Sequence, residues 1–169
     1  MSQSVGARFA ERPLHTRGVA VKPAIATNER RRGAMQQTYF MIKPEIVAAG
    51  EQKIGAILAI VNQAGFRITH LALRKLDRAL VEDFYGEHKE RPFYGELCDY
   101  ITSGPVVTIG LERENAVAAL RELIGATNPA EAAVGTIRDL FGASLQNNAV
   151  HASANPEDAA RELGLIFGA

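Results

Sequence analysis

The strongest constraint on this chain is its apolar periodicity, which from Met35 onward switches repeatedly between short runs that suit strands and longer stripes that suit helices. Thr38-Tyr39-Phe40-Met41-Ile42 is β-branched and aromatic and stops at Lys43-Pro44, which predicts a buried strand. From Glu51 to Ala64, residues Ile54, Ile57, Leu58, Val61 and Ala64 form a helical stripe, with Gly65 where a C-terminal cap belongs. Phe66 to Leu76 alternates apolar with polar residues and reads as a second strand. Arg78 to Tyr85 and Tyr94 to Ile101 read as helices separated by Pro92, and Pro105 to Leu111 as a strand. Asn115 to Ile124 is a helix, Asn148 to His151 a short strand, and a last helix starts at Pro156 with proline in its first turn.

The order strand, helix, strand, two helices, strand, helix, strand is the split βαβ arrangement of a ferredoxin-like α/β (α+β) sandwich, with a four-stranded, mostly antiparallel sheet and helices expected on one face. That topology serves many functions, so function has to be read from individual residues. Residues 1–34 depart from the pattern. They lack apolar periodicity, contain Pro13 and Pro23, and end in Arg30-Arg31-Arg32-Gly33-Ala34. They read as a disordered basic tail or as sequence upstream of a working start at Met35, with an organelle transit peptide ranked last. Residues 35–169 are then the globular domain, and 47% hydrophobic against 22% charged residues suffices for one core.

Formal net charge is zero, which offers neither a basic surface for nucleic acid nor an acidic one. The first 34 residues hold seven of the basic side chains and two acidic ones, so the remainder is mildly acidic and must concentrate its few cations if it handles anions. Cys98 is the single cysteine, so no intrachain disulfide can form and a cytoplasmic setting is expected. No apolar run approaches the roughly 20 residues needed to cross a bilayer. Gly50 to Gly55 begins with P-loop spacing but continues into Ala56-Ile57 instead of Lys and Ser or Thr. No G-x-G-x-x-G is present, and His15, His70, His88 and His151 are too dispersed to form a zinc motif with one cysteine. Pro105 to Leu111 lacks the stacking aromatics of an RNA-recognition sheet, so nucleic acid is not the expected partner.

Six segments, in order, carry a resemblance: Ile42-Lys43-Pro44, Glu90-Arg91-Pro92-Phe93-Tyr94, Ser103-Gly104-Pro105-Val106-Val107, Gly125-Ala126-Thr127-Asn128-Pro129-Ala130, Gly135-Thr136-Ile137-Arg138 and Asn148-Ala149-Val150-His151. From Thr38 to Phe167 the chain resembles the nucleoside diphosphate kinases. That resemblance implies ping-pong transfer of the γ-phosphate of a nucleoside triphosphate, typically ATP, to a nucleoside diphosphate through a phosphohistidine. It implies His151 as the nucleophile and Glu162 as the acid that fixes the ring tautomer. Lys43, Arg121 and Arg138 match phosphate-binding cations, and Tyr85, Thr127 and Asn148 match residues that hydrogen-bond phosphate or sugar. Ser153 lies two residues past the nucleophile and is grouped with the substrate contacts. Phe93 matches the aromatic on which the base stacks, with Leu97 beside it, and the alternative for Phe93 is packing in the core.

The chemistry suits these residue types. A neutral imidazole nitrogen is nucleophilic near pH 7, and phosphoryl transfer requires positioned positive charge more than covalent machinery. Mg²⁺ is expected to arrive with the nucleotide, bound to phosphate oxygens and water. The resemblance also implies a homo-oligomer, tetramer or hexamer. Departures from the family pattern are Glu45-Ile46, Asp139-Leu140, Ala152 in place of the usual Gly and Ala154 in place of the usual Asp. They leave a nucleotide-binding or regulatory protein with weakened turnover as the alternative.

Overall fold

The structure, a computed structural model, describes residues 34–168. The expectation of a disordered basic tail therefore falls on residues outside the described ones. Strand β1 (Met35–Ile42) pairs antiparallel along its whole length with β3 (Val106–Glu114), from Met35 opposite Glu114 to Ile42 opposite Val107. On its other side β1 pairs with the short β4 (Val150–Ala152), while β2 (Arg67–Arg74) pairs with β3 at the far edge. The sheet order is β2-β3-β1-β4, and every pairing is antiparallel.

Successive side chains of a strand point to opposite faces, and β1 uses both for core. Phe40 and Ile42 pack with Ile57 and Val61 of α2 (Glu51–Gln63) and with Leu120 and Ile124 of α5 (Ala116–Ile124). Tyr39 and Met41 pack on the other side with Val81 and Phe84 of α3 (Arg78–Phe84) and with Cys98 and Ile101 of α4 (Tyr94–Thr102). Leu163 and Ile166 of α7 (Pro156–Phe167) complete that second cluster. Helices thus cover both faces, not the one face expected. Because all of β1's last five residues are buried, a one-sided sheet would leave Tyr39 and Met41 in water.

The helix ends follow their sequence signals. Asp77 Oδ1 accepts the Leu80 N–H at 2.9 Å at the start of α3, and Asn155 Oδ1 accepts the Asp158 N–H at 2.8 Å at the start of α7. The β2–β3 ladder slips at Thr69, between Ile68 and His70, and Gly110 lies opposite that bulge. A Cβ at Gly110 would lie 2.6 Å from Thr69 Oγ1 and 2.9 Å from His70 Nδ1, so the bulge requires glycine there. Two five-residue helices, α1 (Pro44–Ala48) and α6 (Ile137–Phe141), were not anticipated. Single turns of this length carry too little periodicity to be read.

Candidate active site

The site forms where the C-terminal end of β1, the start of β4 and the loop before β4 converge. Ala149, immediately before β4, is fully buried and has φ +70°, outside the region that a residue with a Cβ prefers. The Val150 N–H reaches back to the Asn148 carbonyl at 2.8 Å, closing a tight three-residue turn. This turn delays pairing, so β4 begins at Val150 and not at the expected Asn148.

His151 sits opposite Met41, its ring surrounded by Tyr39, Phe84 and Tyr85 with centroid separations of 6.0, 5.2 and 5.9 Å. Its Nε2 lies 2.9 Å from Glu162 Oε1 on α7. A carboxylate only accepts, so Nε2 carries the proton and Nδ1 keeps its lone pair free. The other Glu162 oxygen accepts the Ser153 hydroxyl at 2.7 Å, and Ser153 Oγ in turn accepts the Tyr39 N–H at 3.2 Å. Ser153 is completely buried, with its hydroxyl hydrogen-bonded to Glu162. Tyr85 is also buried; burial and then the Glu162 charge raise its phenol, so it stays a protonated donor.

Lys43, at the N-cap of α1, is only 7% exposed. Its Nζ donates to Asn148 Oδ1 at 2.6 Å and lies 3.4 Å from the Gln146 carbonyl. Burial lowers its ammonium to about 8; Glu45 opposes that shift and Arg138 adds to it. Asn148 is fixed further by its Nδ2, which donates to the carbonyls of Thr127 at 3.1 Å and Leu145 at 2.9 Å. Arg138, on α6, is likewise 7% exposed and donates to the carbonyls of Gly125 and Val150, each at 3.1 Å. Burial, followed by the nearby charge of Arg121, lowers its guanidinium to about 10. Arg121 itself is exposed in the last turn of α5. Among the described residues, neither Lys43 nor Arg138 has a carboxylate in ion-pair contact.

A cleft of about 470 Å³ opens beside Lys43 and Asn148, with the exposed Thr127 on its wall. Phe93 and Leu97 line it from the start of α4, where the Leu97 N–H donates to the Phe93 carbonyl at 2.9 Å. Phe93 is 50% exposed, which removes the reading of it as a core residue. His88, Glu96, Leu145 and Gln146 complete the lining and were not anticipated. An exposed leucine in a polar loop, Leu145, was the one signal available for them. The structure thus joins Lys43, Asn148, Thr127, Phe93 and Leu97 around one cleft. It gathers His151, Glu162, Ser153 and Tyr85 in a second cluster, with Arg138 bridging to the Val150 carbonyl beside His151. Arg121 does not line the cleft, but its charge acts on Arg138.

The departures also have places. Ala152 is paired with Phe40 and packs in the first core cluster, so its methyl points away from the His151 ring. Ala154 is exposed, and Asp139 Oδ2 accepts the Gly135 N–H at 2.8 Å.

A family model described as nucleoside diphosphate kinase matches residues 36–169. The chain belongs to the nucleoside diphosphate kinase family. A Deinococcus radiodurans nucleoside diphosphate kinase is 51% identical over 134 residues, covering 79% of this chain and 96% of that protein. One from Chlamydia muridarum is 51% identical over 133 residues, covering 79% and 93%. Among solved structures, the Aquifex aeolicus nucleoside diphosphate kinase superposes with a TM-score of 0.76 at 39% identity, over 79% of this chain and 96% of that one. A halophilic nucleoside diphosphate kinase from Halobacterium salinarum, solved in complex with CDP, superposes with a TM-score of 0.75 at 35% identity, over 79% and 88%.

Proposed function

We propose that this nucleoside diphosphate kinase family member moves the γ-phosphate of a nucleoside triphosphate to a nucleoside diphosphate by way of Nδ1 of His151. One observation carries the reading. The segment that leads into His151, whose Nε2 is engaged by Glu162, is held by two buried cations, Lys43 on Asn148 and Arg138 on the Val150 carbonyl, that lack carboxylate partners among the described residues. Burying unpaired charge is costly, and a phosphate chain is the counter-ion that would offset it.

In the first half-reaction the Nδ1 lone pair attacks the γ-phosphorus, the bond to the bridging oxygen breaks, and the diphosphate leaves; in the second, a different diphosphate attacks the phosphohistidine. Glu162 holds the ring in its reactive tautomer, and Ser153 orients Glu162. Arg138 can bind two oxygens at once, Lys43 acts as a compact charge, and Arg121 is assigned to the outer phosphates. Tyr85 and Thr127 are assigned as donors to phosphate. Asn148 holds Lys43 and faces the sugar. Phe93, with Leu97, stacks the base without choosing among bases.

Nucleotide kinases commonly use a divalent metal. The cleft lining offers one ammonium, Lys43, and a single carboxylate, Glu96, which fits Mg²⁺ carried by phosphate oxygens and water, there to neutralise phosphate charge. Self-association into a tetramer or hexamer is supported by exposed Leu71 and Leu73 on the edge strand β2 and by exposed Val134 and Leu140. A cytoplasmic setting is supported by the single cysteine. No described helix is long and apolar enough to cross a membrane.

The test is phosphate exchange between ATP and a second nucleoside diphosphate. Ping-pong kinetics with several acceptor bases are expected. Tight nucleotide binding with no exchange would replace this reading with that of a regulatory binding protein.

A further inference from the structure

Glu45 stands where the family pattern usually has Asp, in the first turn of α1 and two residues from Lys43. It does not line the cleft, yet it reaches across the fold: its Oε1 accepts the Ala149 N–H at 3.0 Å. Ala149 is the residue held at positive φ, and its carbonyl accepts the Lys43 N–H at 2.9 Å. The turn between Asn148 and Val150 is therefore pinned on both sides by the segment that begins α1. A strained backbone persists only where its surroundings over-determine it, and these two hydrogen bonds supply that constraint.

The same carboxylate favours the charged form of Lys43, against its burial and the charge of Arg138. The other titratable or charged groups facing Lys43 are Arg138 from α6, Tyr100 from α4, whose ring lies 5.6 Å from Nζ, and His88 and Glu96 across the cleft. Arg138 opposes the ammonium. Tyr100 stays neutral, because burial and the adjacent Glu45 carboxylate both raise its phenol.

Resting on the reading of Lys43 and His151 given above, we propose that Glu45 is a positioning residue for phosphoryl transfer. One carboxylate oxygen holds the turn that carries Asn148 and leads into His151, and its charge keeps Lys43 cationic. The two tasks separate by substitution. Glu45→Gln keeps an oxygen for the Ala149 N–H but removes the charge. Glu45→Asp keeps the charge but shortens the reach.

The measurement is the second-order rate of phosphoenzyme formation at limiting ATP, which reports the free protein, as a function of pH, in full-length protein, with a thermal melt of each variant. The wild-type rate should fall on the alkaline side as Lys43 loses its proton at about 8. In Glu45→Gln that limb should move to lower pH, so that at about pH 8.5 a larger share of its own plateau rate is lost than in the wild type. In Glu45→Asp the limb should stay in place while the plateau falls several-fold. A wild-type limb shared unchanged by Glu45→Gln overturns this proposal alone, as does a Glu45→Asp limb that moves with that of Gln. No alkaline limb in the wild type overturns the assignment of Lys43 and this proposal with it.

Discussion

Lys43 shows how a single residue connects function to stability. Its folded value of about 8 lies below the ordinary 10.5, so between those values the unfolded chain binds a proton that the folded chain has released. Stability therefore rises with pH through that window, and below it Lys43 is charged in both states and carries the full cost of burial. Relative to Lys43→Met, the wild type should gain about 2 kcal/mol in urea unfolding between about pH 7.5 and about pH 9.5. A difference that does not change with pH would show that Lys43 is not held in a desolvated site. Phe93 offers the complementary case, a half-exposed aromatic with little to contribute to the core. Phe93→Ala should weaken nucleotide binding by about 1–3 kcal/mol for every base and leave the melting temperature nearly unchanged. Unchanged affinity in a destabilised protein would reverse the assignment. The residues singled out by short motifs in the sequence are ones the structure brings together, Lys43, Phe93, Thr127 and Asn148 at the cleft and His151 with Glu162. The hydrogen bonds of Ser153 were not legible, because the direction of its hydroxyl is decided by α7 and β1 together.

Elements were legible in proportion to their length. β1, α2 and α7 repeat their apolar pattern often enough to be read, whereas α1 and α6 are single turns whose helicity comes from Pro44 and from the packing of Ile46 and Ile137. Placement of helices on both faces was hidden for a different reason: a strand buried on both sides reads as one apolar run, and the run does not say what covers each face. The junction after α5 is the element whose geometry matters most for the site. Gly125 has φ +82°, its carbonyl accepts Arg138 Nη1, and an added Cβ would collide with the Thr136 side chain. Gly125→Ala should cost about 1–3 kcal/mol and also lower nucleotide affinity by displacing Arg138. Loss of stability with full affinity in the folded fraction would mean that Arg138 is anchored independently of this junction.

At the scale of the whole molecule, the family match begins at residue 36 and both core clusters draw on residues from Tyr39 to Ile166. Removing residues 1–34 should therefore leave the melting temperature and phosphate exchange intact, and a large loss of either would assign that segment to the functional unit. Several elements meet at this end of the sheet: β4 carries His151, α7 supplies Glu162, and the buried Lys43 and Arg138 come from the start of α1 and from α6. The most direct test is incubation with γ-labelled ATP and Mg²⁺. The wild type should acquire an acid-labile, alkali-stable label, as a phosphohistidine does. His151→Ala should fold, bind nucleotide and remain unlabelled, while His70→Ala and His88→Ala label as the wild type does. Label retained in His151→Ala, or lost with a different histidine, would contradict the account.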